Sequence, residues 1–222
     1  MSSRYDHAFD FFRLLSEVEA ELPGGRALAN PKVPLLLSNA VWHPNAAQLE
    51  PVAGWYAERG IEPAVVVPAE RGEELEDALQ GGPYVRAQAF AFRALEPSQD
   101  SGFETSVEQV NWAQGRALGE VLAAHYGMPR SGTALGGALT VAMQRSPKVL
   151  GFVAYDDGVA GAMVLYETAE ALTAMLSGGR QEALQWRLAA EAEERGVTPF
   201  VLEVLAEDAG TRQDSFERWS IL

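Results

Sequence analysis

An α/β fold built on a mixed sheet is what this sequence predicts, on three observations. In the first half, short apolar runs alternate with segments of helical spacing. From Val149 the pattern changes to two strands joined by Asp156-Asp157-Gly158, a step that favours a tight antiparallel hairpin. A third strand, Ala171 to Leu176, is followed by glycines, a helix and another apolar strand. That connection is a crossover, so its two strands run parallel.

The elements follow in order. Phe11, Phe12, Leu15, Val18 and Leu22 recur at helical spacing, which predicts one helix over Ala8–Leu22, stopped by Pro23-Gly24-Gly25. Val33 to Leu37 is suited to a buried strand. Asn45, with Gln48 three residues on, reads as a capping box opening a helix that Gly60 closes. Ala64–Val67 and Val85–Leu95 read as strands around a polar helix, Glu73–Leu79. The polar stretch Glu96 to Gly102 (EPSQDSG) is the best linker and divides residues 1–97 from residues 101–222. Phe103 to Val110 alternates weakly. Helices follow over Trp112–Tyr126 and Thr133–Met143, then strands Val149–Tyr155, Val159–Glu167 and Ala171–Leu176. The helix Arg180–Arg195 ends at Gly196, Phe200–Leu205 is a strand, and Phe216–Leu222 is a last one.

Composition narrows the function classes. The 222 residues are 47% hydrophobic and 22% charged, enough to bury a core, and no apolar run approaches a membrane span. The first residues, MSSRYDHAFDFFRLL, lack the pattern of a secretory signal, so the chain reads as cytoplasmic. With no cysteine, disulfides, thiolate catalysis and cysteine zinc sites are excluded. The three histidines, His7, His43 and His125, have no ligand spacing, so no metal is expected. The net charge of −14 argues against nucleic acid, whose binding depends on clustered Lys and Arg. It is compatible with a cationic substrate such as an amine, while solubility alone accounts for it more simply.

The order hairpin, strand, glycine pair, helix, strand carries the chemistry. A helix N-terminus after such a strand gathers unpaired backbone N–H groups and the positive end of the helix dipole, a seat for a pyrophosphate. The donors are the amides of Gly178, Gly179, Arg180, Gln181, Glu182 and Ala183, with the Arg180 guanidinium adding charge. A glycine pair before a helix is also an ordinary tight turn.

Residues 151–204 (GFVAYDDGVAGAMVLYETAEALTAMLSGGRQEALQWRLAAEAEERGVTPFVLEV) resemble the core of the GNAT superfamily of N-acetyltransferases. Glu194-Arg195-Gly196, the strand from Phe200 and Gly161 stand where that family has such features. The resemblance implies acetyl-CoA as cosubstrate, held by Leu176, Ser177, Gly178, Gly179, Arg180, Gln181, Glu182 and Ala183. It also implies a small-molecule or peptide amine as acceptor. No nucleic acid or membrane partner is implied, and a homodimer is left open.

The family's loop, Gln/Arg-x-x-Gly-x-Gly/Ala, is kept here only at Gly179. Leu176 stands for its Gln/Arg and Gln181 for its second glycine. A base and an acid are needed for amine and thiolate. By the resemblance the base is Glu203 on the last strand of that core, with Glu167 behind it. The family's late tyrosine is missing, leaving Ser215 or water as the acid. Glu203 also reads as an outward-facing strand residue.

Residues 31–68, with Asn30 just before them, resemble the degenerate first half of tandem proteins of this family, through Asn30, Pro34, Asn39, Trp55-Tyr56, Gly60 and Pro68. The expected architecture is therefore two GNAT-like halves: residues 1–97 as a degenerate half and 101–222 as the acyl-CoA-binding domain. Asn39 and Trp42 are placed in a shared cleft. Gly132 to Gly137 reads as a helix start or close helix contact, and Phe11-Phe12 as core. Trp112, Trp186 and Trp219 read as core or rim. The resulting expectation is acetyl transfer from acetyl-CoA to an amine, the alternative being a degenerate protein of the same fold that binds a ligand or partner without catalysis.

Overall fold

Ser3 sets the start of the first helix: its hydroxyl accepts the Asp6 amide at 3.2 Å, and the Asp6 carboxylate accepts the Ser3 amide at 3.0 Å. The computed structural model describes residues 3–45, 48–82, 84–96, 105–206 and 215–221. The expected linker lies, beyond Glu96, outside these residues, as do residues 103 and 104 of the weakly alternating run. Two units are compact, Met1–Phe92 with Glu203–Leu222, and Arg93–Leu202. The C-terminal strand therefore lies in the first unit, where the sequence reading has it with the second.

In the first unit, α1 (Arg4–Leu15) stops seven residues short of the expected end. Ser16 turns extended and its hydroxyl donates to the Phe12 carbonyl at 2.9 Å. Val18–Leu22 is instead β1, paired antiparallel with β2 (Gly25–Ala29) from Val18↔Ala29 to Leu22↔Gly25. Residues i and i+4 share a face in a strand as well as in a helix, so the spacing of Val18 and Leu22 misled. Val33–Leu37 is no strand. Two of its carbonyls are taken by Asn39, whose Nδ2 donates to Val33 and Leu35 at 2.8 and 3.0 Å. Side-chain amides here replace a ladder.

The sheet of this unit runs β1, β2, β3 (Val41–Trp42), β4 (Ala64–Pro68), β11 (Ser215–Ile221), β5 (Tyr84–Ala94). β3 and β4 are parallel, joined through α2 (Glu50–Ala57), which begins five residues after the expected Asn45. α3 (Gly72–Gln80) leads into β5. One sheet face carries Trp42 and Phe216 against Tyr5 and Phe9 of α1. The other packs Val65, Val67 and Trp219 against Val52, Tyr56, Leu75 and Leu79. Asn39 and Trp42 are core, not cleft: Trp42 is 0% exposed and its Nε1 donates to Leu37.

In the second unit β6 (Ser106–Val110), β7 (Val149–Tyr155), β8 (Val159–Glu167) and β9 (Ala171–Gly179) are successive antiparallel neighbours. Asp157 (φ 52°) and Gly158 (φ 154°) turn the β7–β8 hairpin. β10 (Thr198–Val204) lies parallel beside β9, as the crossover through α6 (Gln181–Arg195) requires. α4 (Gly115–His125) and α5 (Gly132–Arg145) cover one face: a Cβ at Gly151 would meet Leu118 and Met143. Those helices touch through glycines, since a Cβ at Gly119 would stand 2.2 Å from the Gly136 nitrogen. That contact accounts for the glycine-rich run 132–137. α6 covers the opposite face, burying Leu184, Leu188 and Ala192 on Phe152, Met163, Leu165 and Ala174. Among the described residues no helix is long and apolar enough to cross a membrane, and no group of His, Asp and Glu is gathered to hold a metal.

Both units share one order: a hairpin, an antiparallel third strand, a helix and a parallel fourth strand. It is β1, β2, β3, α2, β4 in the first and β7, β8, β9, α6, β10 in the second.

Candidate functional site

The candidate site lies at the end of β9. The strand continues through Ser177, Gly178 and Gly179, three residues beyond its expected end, with Gly179 opposite Gly161. Packing demands these glycines. Gly179 has φ +85°, and a Cβ there would stand 2.2 Å from the Ala160 oxygen; one at Gly178 would enter the His125 ring at 2.6 Å. The expected loop is thus a single residue, Arg180, and α6 starts at Gln181.

No side chain caps α6, whose first internal bond runs from the Leu184 amide to the Arg180 carbonyl at 3.1 Å. The first-turn amides of Gln181, Glu182 and Ala183 are the orphan donors of this helix, at the positive end of its dipole. The Arg180 guanidinium is ion-paired with Asp156 in the β7–β8 turn. Glu182 lies exposed in the first turn, while Ala183 is buried. Leu176 is also buried, an apolar residue where the family's loop has Gln or Arg.

One turn earlier, β9 changes course. Val164 is opposite Leu176 and Leu165 opposite Ala174, so Met175 is an extra residue, a β-bulge that bends the strand. Pairing with β10 covers four residues and ends at Ala174↔Val201. From Met175 to Gly179 the edge of β9 that β10 pairs lower down is released from the ladder.

Tyr126, just past α4, fills part of that edge. Its hydroxyl accepts the Ser177 amide at 3.1 Å and donates to the Ser177 carbonyl at 3.2 Å. In an antiparallel ladder a residue gives both groups to its opposite number or turns both outward. Ser177 stands opposite Met163 and gives both to Tyr126, so they point to the released edge. Desolvation of the hydroxyl raises its pKa, keeping it a proton donor, although the residue as a whole is 42% exposed.

The structure brings residues 176–183 together at one strand end, and the other candidates lie on other strands. Glu167 ends β8 opposite Leu172, six residues from Gly161 and so about 20 Å along the strand from the glycines. There it pairs with Arg195 Nε at 3.5 Å. Glu203 is half-buried, two residues after Val201 on β10, and is grouped with the first unit. Ser215 is buried at the start of β11, opposite Ala91 in the first unit's sheet. Sequence reasoning missed Tyr126 and the bulge. A tyrosine at a helix end carries no pattern, and ALTAMLSGG has no break at Met175.

No family model and no curated protein matches the sequence. Solved structures match the fold. A GCN5-related N-acetyltransferase from Kribbella flavida is 12% identical with a TM-score of 0.62, covering 98% of this chain and 94% of its own. A functionally unknown conserved protein from Staphylococcus epidermidis is 14% identical with a TM-score of 0.57, covering 92% of each. A second GCN5-related N-acetyltransferase, from Sphaerobacter thermophilus, is 14% identical with a TM-score of 0.52, covering 82% of this chain and 71% of its own. The chain has the fold of the GCN5-related N-acetyltransferases. It is the mixed α/β fold that the hairpin, crossover and parallel strand define.

Proposed function

We propose that this chain is an N-acetyltransferase that moves the acetyl group of acetyl-CoA to the nitrogen of a small-molecule or peptide amine. The observation that carries the reading is the bulge at Met175, which releases the edge of β9 just before the uncapped N-terminus of α6. The two features fit the two parts of the cosubstrate: a strand edge for its amide-bearing arm and orphan amides for its pyrophosphate. The glycines fit less directly, because their missing side chains make room for His125 and Ala160 rather than for a ligand.

When bound, acetyl-CoA supplies a thioester carbonyl, and the amine nitrogen bonds to its carbon as the carbon–sulfur bond breaks. The chain holds the pyrophosphate on the amides of Gln181, Glu182 and Ala183, with Gly179 and Arg180 at the strand end. Glu203 takes the proton that the amine loses. Water returns one to the thiolate. Glu167, tied to Arg195, serves the fold in this reading. The net charge of −14 suits a cationic amine.

The first unit repeats the element order of the second without a glycine pair at the matching place, where β3 ends at Trp42 and His43 follows. We take it as the degenerate half of a tandem pair, with residues 101–222 supplying the acyl-CoA-binding domain and the final strand completing the first unit's sheet.

Thermal shift with acetyl-CoA, then thiol release across an amine panel, tests the reading, since a ligand of the native state raises its melting point. Binding with turnover is expected, and Glu203→Gln should then lower kcat by about 10²–10⁴ with acetyl-CoA affinity unchanged. Binding without turnover for any amine would make this a non-catalytic protein on the same fold. No binding would end the acetyl-CoA reading.

A further inference from the structure

We propose that Tyr126 is a built-in plug of the acyl-CoA arm's seat, standing on the edge of β9 until the arm displaces it. The inference rests on the acetyl-CoA reading. A single hydroxyl both accepts the Ser177 amide and donates to the Ser177 carbonyl, the two bonds that the next strand would make. Among the described residues no strand makes them, since β10 stops pairing at Ala174↔Val201. The pantetheine arm of a CoA thioester carries two amides, each with one donor and one acceptor, so it competes for the same pair.

The plug is removable. The backbone at the end of α4 is held by Tyr126 N to Leu122 O (2.9 Å), Gly127 N to Ala124 O (3.2 Å) and Met128 N to Ala123 O (2.8 Å). Tyr126 as a whole is 42% exposed, so its side chain has solvent to swing into. His125 stays against Gly178, so the seat keeps its wall when the tyrosine swings out.

Isothermal titration of wild type and Tyr126→Phe tests this, with acetyl-CoA and with its arm-less nucleotide, 3′-phosphoadenosine 5′-diphosphate. Tyr126→Phe should tighten acetyl-CoA by about three- to tenfold, the equivalent of one ordinary hydrogen bond, and leave the nucleotide unchanged. Hydrogen exchange at the Ser177 amide should speed up in the free variant and slow again with acetyl-CoA. Acetyl-CoA binding that is equal or weaker in the variant would overturn the plug and leave the cosubstrate reading standing. Equal tightening of the nucleotide would overturn it too, as an effect not confined to the arm. Absence of acetyl-CoA binding in both proteins would remove the plug together with the cosubstrate.

Discussion

Gly161 and Gly179 face each other across the last pair of the β8–β9 ladder, so closely that a Cβ on Gly179 would stand 2.6 Å from the Gly161 Cα. The same Cβ would meet the Ala160 oxygen, and φ is +85°. Gly179→Ala should therefore destabilise the fold by roughly 2–4 kcal/mol, combining backbone strain with overpacking. Urea denaturation checks it. A loss below about 1 kcal/mol would mean the strand end relaxes freely. Gly179→Pro loses stability for the same reasons, so its loss of cofactor binding alone does not identify a phosphate seat.

Gln181→Gly is the sharper probe of that seat. It restores a glycine at the first position of α6 without touching the β8–β9 contact. Helix propensity sets its stability cost at up to about 1 kcal/mol. Acetyl-CoA affinity should stay equal or rise, because a side chain beside the first-turn amides is removed. Weaker binding by titration would show that Gln181 itself contacts the ligand.

His43 gives the first unit a pH dependence. Its backbone is left-handed (φ 52°), its ring meets the Tyr5 and Phe9 rings edge-on, and its Nε2 lies 3.8 Å from Asp6. Burial lowers its pKa more than the Asp6 carboxylate raises it. The folded chain thus takes up this proton less readily than the unfolded chain, whose histidine titrates near ~6.5. The contribution is full above that value and is lost as pH falls through the folded one. His43→Asn tolerates the left-handed backbone and should flatten the fall in melting temperature between about pH 7 and pH 5. An unchanged slope would assign the fall to carboxylates.

Arg218 is a buried cation for which no carboxylate among the described residues lies within ion-pair distance. It is 8% exposed on β11, its Nε has no hydrogen-bond partner, and burial lowers its pKa with only Glu62 opposing. Desolvation of a guanidinium that its surroundings only partly repay is a net cost. Arg218→Met should accordingly stabilise the protein by about 1–2 kcal/mol in denaturant titration. Destabilisation would reveal an anionic partner for the guanidinium.

The sequence by itself determined the elements whose cause is local. Asp156-Asp157-Gly158 makes its hairpin, Gly196 ends α6 in the left-handed conformation, and a helix between two apolar strands forces β9 and β10 parallel. These choices depend on neighbours within a few residues, so they are written in order along the chain. Tertiary structure decided the rest. Val18–Leu22 fits a helix or a strand face alike, and only pairing with Gly25–Ala29 selects the strand. The buried amides of Asn30 and Asn39 satisfy a segment that apolar content alone would place in a sheet. At the site, residues 176–183 were legible as a strand end meeting a helix. The released edge was not, because it depends on where one extra residue falls in pairing with β8 and where β10 lets go. Nor was Tyr126 legible: it stands 51 positions from Ser177, and long-range contacts of that kind leave no periodic trace in a single chain.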